Sequence, residues 1–120
     1  KPKQSLEAIN KEGAKKHFDK GKELLKPGPK QNLEGAIAEI TKAIFLVDDD
    51  PATFEARGNA YMLLKDYKTA VSNFKRALKL KHTPELARRT SNLLDAEGLA
   101  RLHAKEYAEA VHFFSSAYDT

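Results

Sequence analysis

The chain contains no cysteine among its 120 residues. That excludes a disulfide framework and thiol catalysis, and it agrees with a reducing compartment. No run of about 18 apolar residues occurs, so no membrane-spanning helix is expected. The opening KPKQSLEAINKEG lacks the apolar centre of a signal peptide, and there is no Asn-x-Ser/Thr sequon. A cytoplasmic or nuclear setting is the default expectation. The start at Lys1 and the stop at Thr120, within a helical pattern, read as a piece of something longer. Neither sign of charge dominates. With 21 Lys+Arg against 17 Asp+Glu, the net charge of +4 is a modest basic bias that does not by itself indicate nucleic acid.

With 41% apolar residues, the chain has enough to build one continuous core but poor support for a second domain. From Tyr67 to Leu80 the apolar or small residues fall at 67, 70, 71, 74, 77, 78 and 80, the spacing of a helix with one buried face. Thirty-four residues earlier stand Leu33, Ala36, Ile37, Ile40, Ala43, Ile44 and Leu46. Forty residues later stand Tyr107, Ala110, Val111, Phe114, Ala117 and Tyr118. A threefold repeat of this size is the signature of stacked units that cannot bury their apolar faces alone.

Another helical stretch precedes each of these, at about Ser5 to Leu25, Pro51 to Leu64 and Pro84 to His103. The expected architecture is therefore a single all-α domain over 1–120, made of three helical hairpins at about 5–46, 51–81 and 84–118. Asp50 before Pro51 and Thr83 before Pro84 are N-cap positions followed by a residue whose missing N–H costs nothing. Asn32 and Asp66 stand where the second helices begin, and KPGPK at 26–30 is a loop.

Gly58, Tyr61, Tyr67, Ala70, Phe74 and Ala77, with Phe54 before them, resemble the tetratricopeptide repeat, and Pro51 to Pro84 spans one 34-residue unit. Arg57 and His82 depart from the usual leucine and proline. The third unit keeps Leu94, Gly98, Tyr107, Ala110, Phe114 and Ala117, but Arg101 replaces a tyrosine and six extra residues, Glu85 to Thr90, precede it. The first unit matches in its second helix only. Two registers are open for its first helix: Gly21 in the role of Gly58 with a three-residue insertion, or Ala14 in that role with a ten-residue insertion. The second is preferred, because it places Phe18 and the Gly21-Lys22 turn as in a standard hairpin.

Small residues belong where helix backbones cross, large ones beside the crossing. Ala36, Ala70 and Ala110 are expected at the crossings with Gly58 and Gly98 facing them, and Phe74 and Phe114 as buried core residues.

No catalytic constellation is visible, so no enzyme and no cofactor is expected. His17, His82, His103 and His112 lack metal spacing, and DDDP at 48–51 lacks the order of a calcium loop. Lys68, Lys75 and Lys79 fall opposite Phe74 on an outer face. Aromatic interleaving is absent from that face, which argues against nucleic acid as a ligand.

The resemblance implies a right-handed solenoid whose first helices line a concave groove for a peptide or partner helix, a scaffold or adaptor role. The groove residues it implies are Lys11, Lys15 and Phe18, then Glu55, Asn59, Met62 and Leu63, then Asp95, Ala96, Leu99, Leu102 and His103. The family's two-carboxylate clamp for chaperone C-terminal tails needs Lys and Asn, then Asn, then Lys and Arg. In the preferred register Lys11 fits and Lys15, Ala56, Asn92 and Ala96 do not, so such tails are not expected to bind strongly. The rival expectation is an architectural segment that self-associates through Phe113 and Tyr118; a third is weak binding of acidic ligands by the lysine-rich faces.

Overall fold

The computed structural model describes residues 5–103 and 107–119, and side chains for 5–100, 109 and 111–119. Six helices follow one another: α1 (Leu6–Leu25), α2 (Leu33–Leu46), α3 (Pro51–Leu63), α4 (Tyr67–Leu80), α5 (Pro84–His103) and α6 (Tyr107–Asp119). Each packs against its neighbour in sequence, and α1 also touches α3. The result is elongated, 65 × 34 × 21 Å with a radius of gyration of 16.7 Å. A compact domain of this length would have about 14 Å.

The helix starts follow from side-chain caps. Ser5, Asn32, Asp50 and Asp66 accept from the backbone N–H of Ala8, Gly35, Ala52 and Thr69, respectively, at 2.9–3.2 Å, each satisfying a donor the helix cannot. In the α1–α2 loop Gly28 has φ +130°, a conformation open to glycine and costly for any other residue.

Between α3 and α4 the left-handed position falls to a lysine: Lys65 has φ 64°. Its N–H donates to Met62 O and that of Asp66 to Tyr61 O, both at 2.9 Å, which closes the helix by a paired C-terminal motif. Since a side chain in that region costs roughly 1 kcal/mol or more, Lys65→Gly is expected to raise stability by about 1 kcal/mol. Urea unfolding checks it, a raised midpoint at unchanged slope being the expected result.

Two core clusters run along the stack. Phe54, Ala70, Phe74, Ala77, Leu78 and Leu86 form one, spanning α3, α4 and the start of α5. Val71, Leu94 and Phe113 form the other, joining α4, α5 and α6. Burial of Phe113 removes one of the two residues expected to drive self-association, because α4 and α5 already cover it. Tyr118 is 92% exposed. Phe114, expected in the core, is only half-buried.

The glycines lie against large side chains. A Cβ on Gly58 would stand 2.5 Å from Phe74 Cε1, on Gly98 2.8 Å from Phe114 Cε1, and on Gly21 2.7 Å from Ile40 Cγ1. So Gly58 and Gly98 lie against the rings, and Gly21 also lies against Ala36, whose backbone O would stand 3.2 Å from a Cβ there. Ala36 and Ala70 are fully buried, while the side chain of Ala110 lies outside the described residues. The same contacts correct the register of α1. Ile40 stands 34 residues before Phe74, so Gly21 occupies the place of Gly58 and the Ala14 alignment is replaced.

Arg57, a departure from the family pattern, has a structural role. Its Nε donates to Asn73 Oδ1 at 2.7 Å and its Nη1 to Thr41 Oγ1 at 3.3 Å, tying α3 to α4 and α2. Between α1 and α2 the buried Glu39 accepts from His17 Nδ1 at 2.8 Å and Lys42 Nζ at 3.2 Å. These bonds, the histidine's first, hold its carboxyl below the usual carboxylate range.

Candidate groove between the first helices

Lys11, Ala14, Lys15 and Phe18 share one face of α1 through their i, i+3, i+4, i+7 spacing. That face meets Val47, Asp50 and Thr53 across a cleft of about 280 Å³. Its floor is apolar: Ala14, Phe18 and Val47. Its polar wall is already satisfied, because Asp50 caps Ala52 and Thr53 Oγ1 donates to Asp50 O at 2.8 Å. The rim is basic. Lys11 Nζ lies 3.2 Å from Glu7 and Lys15 Nζ 3.0 Å from Asp19, both in exposed pairs. Exposed pairs of this kind are weak and screened by solvent, so they leave both lysines able to meet a carboxylate. Lys15, then Lys22, holds the Asp19 carboxyl below its usual range.

Lys22 completes this part of the face. Its Nζ stands 4.5 Å from the centre of the Phe18 ring, close enough for a cation–π contact. With Gly21 in the place of Gly58, Lys22 takes the place of Asn59, a position that the Ala14 alignment hid.

Further along, Arg89 of α5 reaches across to α3. Its Nη2 donates to Asn59 Oδ1 at 2.9 Å, and its Nη1 lies 3.5 Å from Glu55 Oε2. Its guanidinium also stands 5.5 Å from the centre of the Phe74 ring. Sequence reasoning missed Arg89 because it sits in the six-residue extension. The signal was nonetheless present: Arg89 follows Glu55 by one 34-residue period.

The expected groove residues thus fall into two clusters. Lys11, Lys15 and Phe18 come together at the α1–α3 cleft, and Glu55 and Asn59 come together under Arg89. Met62 is half-buried against the first core cluster, turned more to the core than expected. Leu63 and Leu99 are 55% and 51% exposed. Asp95 and Ala96 are also exposed, and among the described residues no hydrogen bond or ion pair joins Asp95 to either cluster. The side chains of Leu102 and His103, at the end of α5, lie outside the described residues.

No family model matches the chain. The chain is similar to the Protein SGT1 homolog of Bos taurus, at 32% identity over 85 residues. The match covers 71% of this chain and spans 23% of that relative.

Proposed function

We propose that this chain is a protein-interaction module, three tetratricopeptide-like hairpins stacked as a right-handed solenoid, that holds a peptide or helical segment against α1, α3 and α5. The observation that carries this reading is the α1–α3 cleft, apolar at the floor and basic at the rim. It has the mixture of anchor pocket and charge that peptide grooves use. A role as one module of a larger scaffold or adaptor also agrees with a match that spans 23% of its relative.

The revised register moves the clamp positions to Phe18, Lys22, Ala56, Asn92 and Ala96. Lys22 stands where asparagine is required, Asn92 where lysine is, and the other three positions are apolar, so no position matches. A peptide ending in Glu-Glu-Val-Asp is expected to bind no tighter than ~10 µM, about −7 kcal/mol.

The reading is tested by selecting ligands from a displayed library of random dodecamers on the 120-residue chain. The selected peptides are then titrated against Phe18→Ala, Lys15→Glu and Leu99→Glu, with helicity checked by circular dichroism. Selected peptides should weaken by about tenfold or more on at least the α1 variants. Equal binding by all three folded variants would place the ligand elsewhere and overturn the groove.

A further inference from the structure

The outer face of α4 carries charge of one sign. The helix has Lys68, Lys75, Arg76 and Lys79 and no acidic residue. On α1 four of the five lysines (Lys11, Lys15, Lys16 and Lys22) pair with a carboxylate within 3.7 Å. Among the described residues, Lys68, Lys75 and Lys79 form no ion pair at all, and all three are exposed. Uncompensated like charges along one helix repel one another, at a cost a solvated face has no need to carry.

These lysines border a cleft. Between α4 and α6 lies a depression of about 230 Å³ with Val71, Leu94 and Phe113 at its base and Lys68, Ser72, Lys75, His112 and Ser116 around it. It adjoins a second of about 300 Å³ bounded by Lys75, Leu78, Lys79, His82 and Asp119. Asp119 is the acidic member of these two linings and stands at the far end, beside Lys79 and His82.

We propose that the α4–α6 face is a second docking surface, separate from the α1–α3–α5 groove, and that its occupant is an acidic amphipathic helix of a partner protein. An apolar base of this volume takes a leucine or phenylalanine side chain. Lys68 and Lys75 are seven residues apart, about 10.5 Å along the axis, which matches acidic residues two turns apart on an incoming helix. Phe113 is 8% exposed and so offers no platform for base stacking, while a phosphate backbone has no use for an apolar base. The chemistry favours protein over nucleic acid.

The test uses a designed 18-residue helix with a leucine stripe and glutamates seven apart, its scrambled isomer, and a single-stranded DNA dodecamer. Binding is followed by amide chemical shifts at ~50 and ~200 mM salt. The ordered peptide should shift Ser72, His112 and their neighbours and weaken with salt. The double variant Lys68→Glu, Lys75→Glu and the separate blocking variant Ser72→Trp should each reduce its affinity about tenfold or more. All three positions are exposed, so the variants keep the fold. Equal binding of the scrambled isomer overturns the proposal, as does full affinity in both variants or absence of binding at ~1 mM peptide. Tighter binding of the DNA also overturns it and assigns the face to nucleic acid.

Discussion

Phe74→Ala is expected to lower the unfolding free energy by about 3–5 kcal/mol, the usual cost of emptying an aromatic site in a packed core. Phe74 is 1% exposed and sits among residues of three helices, Phe54, Ala77 and Leu86 among them. Its ring also lies against Gly58 and near the Arg89 guanidinium. The void left by truncation cannot close easily, because Ala70 and Ala77 are already fully buried and have no longer side chain to swing inward. Marginally stable domains have about 5–15 kcal/mol in total. Chemical denaturation should therefore show a midpoint reduced by a large fraction. A loss under ~1 kcal/mol would mean that the three helices are not held by this ring.

Gly58→Ala should also destabilise, against the sign that helix propensity gives. In an exposed helix interior the change gains about 1 kcal/mol. Here the new Cβ meets Phe74 Cε1 at 2.5 Å and Cδ1 at 2.7 Å, well inside the ~3.5 Å of ordinary carbon contact. The ring is enclosed and cannot withdraw, so α3 and α4 must separate, and a net loss of about 1–3 kcal/mol is expected. Adding Phe74→Leu removes the ring atoms in question. The double variant should then be more stable than the sum of the two single losses predicts, by about 0.5 kcal/mol or more. Gly98→Ala is the control, since Phe114 is half-buried and its ring can give way. An increase in stability for Gly58→Ala would refute close packing as the reason for the glycine.

The elements were legible because periodicity and caps are local. Asp50-Pro51 and Asp66 announce their helices within four residues, and the 34-residue spacing of Ala36 and Ala70 sets the two second helices in register. The place of α1 was not legible for an equally physical reason. Ile40 does the work of Phe74, so the aromatic partner that identifies its glycine is absent, and a loop such as KPGPK carries no period to count by. In the candidate site, the α1 and α3 residues could be read from helical faces. Arg89 required knowing that the first turns of α5 lie against α3, and the covering of Phe113 depends on Val71 and Leu94, residues well before it in sequence.

That extension has a further consequence. Leu86 belongs with Phe54 and Phe74, and Thr90 is fully buried, whereas Ser91 Oγ donates to Ala117 O and Leu94 joins Phe113. Helix α5 therefore serves two masters: its first two turns belong to the middle hairpin and the remainder to the last one. The seam between neighbouring folding units runs through the interior of a continuous helix instead of through a loop. The last hairpin cannot detach as a whole without breaking α5 near Thr90 or pulling Leu86 out of its neighbour's core, so a single rod binds the fates of two units together.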